Sequence, residues 1–311
     1  LAALLLREQG LDITLVCFTT PFFSSQHAEA SARQMDMDLI IVDITEEHLK
    51  LLHNPPHGFG AHLNPCIDCH ALMLRRAGAM LSDTGARFVF SGEVLGQRPF
   101  SQNKDALAAV ARDSGLNDLL LRPLSARLLP ITRPEREGWV DRDRLLDISG
   151  RSRKRQMKLA GEYGFVDYPT PAGGCLLTEE GFSQRLRDLF DRRALAPELR
   201  EIEMLKVGRH FRLTPETRLI VGRNQAENER LESLSAPEDD VLSCELIPGP
   251  VGVIPKGTDS NDALFTAALI TASYSDAETG SVATVQVTRG DAVSSLAVAA
   301  PPKEEFKDLM I

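Results

Sequence analysis

Along the first part of the chain, short runs that are apolar at every position alternate with stretches whose apolar residues recur at helical spacing. Residues 1–8 predict a helix that Gly10 ends, and Ile13-Thr14-Leu15-Val16-Cys17-Phe18 predicts a β-branched strand bounded by Pro21. Residues 28–35 predict a second helix and Leu39-Ile40-Ile41-Val42-Asp43 a second strand. Strands of this kind suit a parallel sheet covered by helices on both faces. A loop over 54–64, with two prolines, Gly58 and Gly60, precedes a helix over 71–82 that Gly85 ends. Arg87-Phe88-Val89-Phe90 then predicts a strand, residues 103–111 a helix, and Leu119-Leu120-Leu121-Arg122-Pro123-Leu124 a strand. Residues 141–159 predict a polar, strongly basic helix or pair, 162–174 irregular chain, and 182–190 a short helix ending in Asp191-Arg192-Arg193.

From Val207 the pattern changes. Short strands with turn punctuation are predicted at 210–213, 218–221, 241–247, 269–274 and 282–288, with a helix over 227–234. The expected fold is α/β, a doubly wound parallel sheet over residues 1–200, followed by a smaller α+β domain over 201–311. In such sheets ligands lie beyond the carboxyl ends of strands, which places Phe18 and the turn Ser91-Gly92-Glu93-Val94-Leu95-Gly96-Gln97 at a crevice.

A chain of 311 residues with 43% hydrophobic content is long enough for two cores, and no apolar run reaches membrane-spanning length. No membrane partner is expected. The chain starts on Leu1 in what reads as mid-helix without a cap, so a truncated start is expected, and no signal peptide is visible. Five cysteines without framework spacing point to a reducing cytoplasm and to chemistry or metal rather than disulfides. Charge is uneven: residues 231–311 hold 13 acidic and 4 basic residues, so the whole net charge of −9 lies there. The Arg-rich middle is therefore the better match for a polyanion.

Three cysteines carry the chemistry. Cys66 and Cys69, with two residues between them, sit in Asn64-Pro65-Cys66-Ile67-Asp68-Cys69-His70, a polar loop leading into a helix whose N-terminus favours thiolate. Cys175 follows Gly173-Gly174, which permit close backbone approach. Three thiolates could hold three irons of a [4Fe-4S] cluster and leave the fourth open to an external sulfur. Zinc is the rival, with His70 completing a Cys3His set, although adjacent helical residues rarely point at one ion. A third option is metal-free, with Cys69 and Cys175 as sulfur carrier and resolving partner. Cys17 and Cys244 read as core residues. His53, His57 and His62 read as a solvated loop, with no carboxylate positioned beside them. The run Arg151-Ser152-Arg153-Lys154-Arg155-Gln156-Met157-Lys158 puts five cations in eight residues; a solvated helix face and phosphate contact both fit, and the scarcity of nearby acid tips the reading to RNA.

Taken together, Ser91 to Gln97, Ser101-Gln102, Leu121-Arg122-Pro123-Leu124, Asn64-Pro65 before Cys69, and Cys175 make residues 1 to about 178 resemble the PP-loop ATPases that thiolate tRNA. The likeness is to the 4-thiouridine synthases and, less closely, the 2-thiouridylases, with the Cys66, Cys69 and Cys175 set similar to the iron-sulfur variety. The resemblance implies an adenine nucleotide alpha hydrolase-like fold and ATP with Mg2+ bordered by Phe18, Ser91, Gly92 and Gln97. It also implies catalytic cysteines at Cys69 and Cys175, tRNA as substrate, and a persulfide carrier or sulfide as sulfur donor. That family's Ser-Gly-Gly-x-Asp-Ser loop, which binds pyrophosphate, falls before Leu1. Phe211-Arg212, then Leu219-Ile220-Val221-Gly222-Arg223-Asn224 and Glu227-Asn228-Glu229, make about 207–302 resemble the RNA-binding domain of the NFACT proteins, without its histidine-rich turn. RNA contacts are expected at Arg151, Arg153, Lys154, Arg155, Arg223 and Asn224.

The leading expectation is an ATP-dependent tRNA sulfurtransferase acting on a uridine carbonyl. The competing class is a noncatalytic RNA-binding adaptor on a degenerate nucleotide fold stapled by zinc. A third reading is a PP-loop enzyme acting on a small carboxylate or amide.

Overall fold

Residues 1–165, 174–191 and 198–311 are described by the structure, a computed structural model, and their contacts divide the chain into two units, Leu1–Thr178 and Glu179–Ile311. The sequence-based boundary near Arg200 lies further along. Of the irregular chain expected over 162–174, residues 166–173 are outside the described residues, as are Arg192 and Arg193.

The first unit runs α1 (Ala2–Arg7), β1 (Leu15–Thr19), α2 (Gln26–Met35), β2 (Leu39–Asp43), α3 (Thr45–His53), α4 (Cys66–Ala79), α5 (Leu81–Thr84), β3 (Val89–Phe90), α6 (Lys104–Asp113), β4 (Leu120–Leu121), α7 (Arg133–Arg136) and α8 (Lys154–Glu162). Local chemistry sets several ends. Asn103 accepts a hydrogen bond from the Ala106 N–H to start α6, and α2 stops where Asp36 turns left-handed and donates back to Arg33. α4 and α6 bury Ile67, Leu74, Ala106 and Val110 with Leu120 in one cluster.

β1 pairs with β2 in parallel, Leu15 opposite Leu39 through Thr19 opposite Asp43, and β3 pairs with β4, Val89 opposite Leu120. Among the described residues no ladder joins the two pairs. The doubly wound sheet expected from the sequence is therefore replaced by two separate two-stranded pairs. Burial agrees with this: all of β1 is only half-buried and Ile41 is 48% exposed, whereas strands inside a continuous parallel sheet are covered on both faces.

The second unit holds α9 (Glu180–Asp191), α10 (Leu199–Met204), β5 (Arg209–Arg212), β6 (Arg218–Val221), α11 (Gln225–Leu234), β7 (Asp240–Cys244), β8 (Gly252–Ile254), α12 (Asn261–Ser273), β9 (Val282–Arg289) and β10 (Ala292–Ala299). Its six strands form an antiparallel sheet in the order β10-β9-β7-β8-β6-β5. The two-residue period of a strand sorts side chains onto two cores. Leu219 and Val221 of β6 and Ile254 of β8 join Ala267, Ala268 and Ile270 of α12, while Ile220 and Val253 join Met204 of α10 and Leu231 of α11. Helices thus cover both faces. Gly252 allows the close approach of α12, since a Cβ there would meet Thr271 Oγ1 at 2.7 Å.

Four local expectations change. Residues 269–273 belong to α12, with Tyr274 its C-cap, rather than to a strand, because a helix buried nearly all round shows no periodic polar face to distinguish it. The helix predicted from Ala71 begins at Cys66. α3, β8 and β10 had no clear signal; β8 is three residues long and β10 is an exposed edge built largely of small side chains. The basic stretch 141–159 becomes a turn around Arg142–Arg144 and then α8. No helix among the described residues is long and apolar enough to cross a membrane.

Candidate functional site

Pro65 caps α4, so Cys66 and Cys69 occupy its first turn three residues apart, on one face. The Asn64 side-chain amide donates to Cys66 Sγ at 3.2 Å, and the Cys69 N–H donates to Pro65 O at 2.8 Å. Downstream, the Leu176 N–H donates to Phe22 O at 3.0 Å and Thr178 Oγ1 donates to Cys175 O at 2.7 Å, so the third cysteine is carried to the loop after β1. Burial, then the neighbouring Cys175, Cys66 and Asp68, push the Cys69 thiol well up from its ordinary value. Cys175 thus acts on Cys69 electrostatically, as Cys66 does, although more than a hundred residues separate it in sequence.

That shift corrects the expectation of a thiolate at Cys69. A helix N-terminus contributes about 0.3–1 kcal/mol, whereas full burial moves a pKa by up to about 3–5 units of roughly 1.4 kcal/mol each. Cys69 is only 9% exposed, and burial wins. Cys66 and Cys175 are half-buried. Among the described residues no three His, Cys, Asp or Glu side chains are gathered so as to hold a metal ion. No chemical step is routed through a cluster or a zinc ion at Cys66, Cys69 and Cys175. Cys17 and Cys244 are half-buried thiols raised chiefly by burial, in keeping with core positions.

His70 is engaged by a carboxylate. Its Nδ1 lies 2.9 Å from Glu93 Oε1, and Glu93 Oε2 accepts from Ser91 Oγ at 2.9 Å and Arg122 Nε at 2.8 Å. Burial raises the Glu93 carboxyl, but hydrogen bonds and charge from His70 and Arg122 outweigh it and hold the group at about 2. This network closes one end of a cavity of about 610 Å³ whose lining includes Phe18, His70, Ser91, Gly92 and Glu93. Three of the four residues expected around a nucleotide therefore share a cavity. Gln97 does not line it; its side-chain oxygen accepts from Gln156 Nε2 at 3.3 Å. A cavity of similar size, about 650 Å³, lies by Arg7, Glu29 and Arg33 and holds none of these residues.

His57 corrects the reading of a free histidine loop. Its Nε2 lies 2.7 Å from Asp113 Oδ2 and its backbone N–H donates to Asp68 Oδ2 at 3.0 Å, which ties the loop to α4 and α6.

The basic residues separate into paired and open ones. Arg155 binds Asp147 at 2.8 Å and Lys158 faces Glu162 at 3.8 Å, so acid flanking the run on either side offsets part of it. Arg151 and Lys154 are exposed, and Arg153 stands at the N-cap of α8. In the second unit Arg223 is held by Glu227, with Nε at 2.9 Å, and the Asn224 side chain accepts from the Glu227 N–H to cap α11. Both have structural work, which the sequence alone does not separate from RNA contact. A cluster the sequence reading missed lies elsewhere: the Arg209 guanidinium is 4.7 Å from the Tyr274 ring centroid, Lys303 Nζ 5.3 Å from it, and Phe211 packs at 5.9 Å. Two cations around one aromatic ring form a surface suited to phosphate and base. Its members are far apart in sequence, and Tyr274 sat in a segment read as strand.

Residues 208–310 match the family described as "NFACT protein RNA binding domain" and form such a domain. The match lies wholly inside the second unit. No curated protein matches the chain. Among solved structures, the C-terminal part of the fibronectin/fibrinogen-binding protein from Streptococcus suis aligns over 92% of this chain and 99% of that chain, at 13% identity and a TM-score of 0.28.

Proposed function

We propose that the chain is an RNA-binding protein whose second unit grips RNA and whose first unit thiolates a uridine of tRNA at the expense of ATP. The RNA-binding part is supported by the NFACT-type domain over 208–310. The sulfur chemistry is supported by one observation, the electrostatic influence of the distant Cys175, beside that of Cys66, on the Cys69 thiol. In this reading the uridine carbonyl oxygen first attacks the α-phosphorus of ATP, forming the adenylate as the α–β bond breaks and pyrophosphate leaves, because oxide is a poor leaving group and AMP a good one. A persulfide on Cys175, loaded by a persulfide donor, attacks the activated carbon and AMP departs. Cys69 then attacks the Cys175 sulfur, releasing the thiocarbonyl and leaving a Cys69–Cys175 disulfide that an external thiol reopens. The cavity bordered by Phe18, Ser91 and Gly92 is the proposed nucleotide end, with His70 fixed at its wall by Glu93.

Burial of Cys69 favours a second reading. A protonated, enclosed thiol is a poor nucleophile, and a noncatalytic RNA-binding adaptor would need none. Incubation with tRNA, Mg-ATP and a persulfide donor, followed by nucleoside mass spectrometry, separates the two. Thiouridine formed by the native protein and lost in Cys175→Ala, with RNA binding retained, is the expected result. Absence of thiouridine with RNA binding intact would leave the adaptor.

A further inference from the structure

The two edges of the sheet in the second unit are finished differently. At one edge β5 is four residues long, has Arg209 and Arg212 at its ends, and is covered by residues further along the chain. Phe211 bridges Met310 there, and the Ile311 N–H donates to His210 O at 3.0 Å. At the other edge β10 runs for eight residues, in unbroken register with β9 from Ala292 opposite Arg289 to Ala299 opposite Val282. Among the described residues no strand lies on its far side. β10 has no charge, no proline and no bulge, the devices that keep an open edge from pairing, and Val293 is 60% exposed.

The hairpin decides which backbone groups point outward. Arg289 and Ala292 close the two-residue turn Gly290-Asp291 and address each other, and in an antiparallel ladder every second residue then does the same. Ala300 keeps this phase, donating to Ser281 O at 2.9 Å. Val293, Ser295, Ala297 and Ala299 therefore turn both N–H and C=O away from β9.

We propose that β10 pairs antiparallel with β10 of a second copy of this chain, about a twofold axis that passes through Leu296 normal to the sheet. Such an axis keeps each face of the sheet on its own side, so outward residues must meet outward residues. With the axis at Leu296, Val293 lies opposite Ala299 of the second copy and Ser295 opposite Ala297. Each opposed pair exchanges both of its hydrogen bonds, and no outward group is left over. Shifting the axis to Ser295 would set Ala299 against Asp291 in the turn. Shifting it to Ala297 would set Val293 against Pro301, which has no N–H. The side chains fit the same register. Leu296, at the margin of the α12 core, meets Leu296 of the second copy, and the other face brings only Val, Ser and Ala together.

Charge favours a second copy at this strip over any other part of the domain. Residues 231–311 hold the whole net charge of −9, so two copies repel wherever acid faces acid, and β10 is neutral throughout. Glu245 approaches it from beyond β9 and accepts from Ser295 Oγ at 2.6 Å. The strand is about 27 Å long, and a contact one layer deep, about 10 Å, covers about 300 Å² on each copy. The sum, about 600 Å², is below the roughly 1,000 Å² of a lasting interface, so the dimer is held by backbone bonds and is reversible. The proposal rests on the fold of the second unit and on neither RNA binding nor thiolation.

Sedimentation equilibrium of the full chain over a range of concentrations tests it, with amide hydrogen exchange read at single residues. The expected result is a mass that climbs toward double, with exchange slowed about tenfold or more at Val293, Ser295, Ala297 and Ala299 in step with it. Ala297→Pro, which removes one outward N–H from an edge strand, should hold the protein at single mass. Ala297→Lys, which puts a charge on the exposed face without touching the backbone, should do the same and covers the case in which Ala297→Pro does not fold. Leu296→Cys under a mild oxidant should give a covalent dimer, with peptide mass spectrometry placing the link between the two introduced thiols. Ser294→Cys and Val298→Cys, each alone, should not, because these positions oppose each other and not themselves. Single mass at every concentration would overturn the proposal, as would a doubled mass that persists in Ala297→Lys or an equal yield of covalent dimer from Ser294→Cys. Protection of the four amides at single mass would overturn it too, making another part of the chain the occupant, or RNA if it appears only when RNA is added.

Discussion

His70 Nδ1 and Glu93 Oε1 stand 2.9 Å apart, joining the first turn of α4 to the turn that follows β3. Arg122 completes the arrangement from beyond β4, donating to the other Glu93 oxygen and to Leu107 O. The sulfur-bearing turn and the wall of the cavity are therefore fixed to each other by a hydrogen bond as well as by packing.

Glu93→Gln is expected to destabilise the first unit by about 3–5 kcal/mol, because Arg122 is then left buried without its carboxylate. Urea unfolding measures this. The acid limb supplies a second readout: the Glu93 carboxyl is held at about 2 against an ordinary value of 4.5. Its contribution is full above pH 4.5 and is lost as pH falls toward 2. In the variant that part of the slope should vanish.

His48 titrates in a different window. It is buried against Phe22 and Phe23, at ring separations of 5.5 and 5.7 Å, and neither ring nitrogen has a hydrogen-bond partner. Burial lowers it to about 4, so the unfolded chain takes up its proton near pH 6.5 while the folded one does not. The associated stability is complete above pH 6.5 and declines toward pH 4, by on the order of 3 kcal/mol. Thermal unfolding of His48→Leu across this range should be flat where the native protein slopes. Equal slopes would remove His48 as the cause.

Alkylation by iodoacetamide near pH 8 should mark Cys66 and Cys175 well before Cys69, which is buried and has its thiol pushed up. Peptide mass spectrometry over a time course reads the order. Cys69 reacting first would mean that the first turn of α4 opens in solution.

On RNA, Arg209→Ala and Lys303→Ala should each weaken binding and lower the slope of log affinity against log salt by about 1. Tyr274→Leu should cost about 1–3 kcal/mol through lost stacking. Arg223→Ala should leave the salt slope intact and lower stability instead, since its partner is Glu227. Filter binding at several salt concentrations distinguishes these; an unchanged slope in both Arg209→Ala and Lys303→Ala would move the RNA surface elsewhere.

Gly252→Ala should destabilise the second unit by about 1–3 kcal/mol, because the added methyl meets Thr271 Oγ1 at 2.7 Å. Gly252→Ala combined with Thr271→Ser keeps the contacting hydroxyl and should recover little; Gly252→Ala with Thr271→Ala should recover most. Calorimetry on the four proteins tests this.

Much of this structure is legible in the sequence, for identifiable reasons. β1 and β2 announce themselves because Val16, Phe18, Ile40 and Val42 belong to runs of β-branched and aromatic residues. β6 shows the same signal. Its position between two helical layers is not visible locally, since each of Leu219, Ile220 and Val221 is apolar whichever core it enters. The end of α12 reads as a strand because burial removes the polar stripe that marks a helix. The continuous sheet was expected because each strand looks like a central one, while pairing depends on neighbours that no local pattern names. In the site, Cys66, Cys69 and Cys175 could be chosen by spacing and by their glycine and proline context. The ionisation of Cys69, the paired state of Arg223 and the Tyr274 cluster depend on burial and on partners remote in sequence, and only coordinates supply them.

Cys69 and His70 are consecutive, yet one is buried away from the cavity and the other lines it, as roughly 100° of helical rotation between neighbours requires. An insertion of one residue between Pro65 and Cys66 would turn the whole inventory of that turn past both destinations at once. Length in this short stretch should therefore tolerate less drift over generations than the identity of most side chains around it.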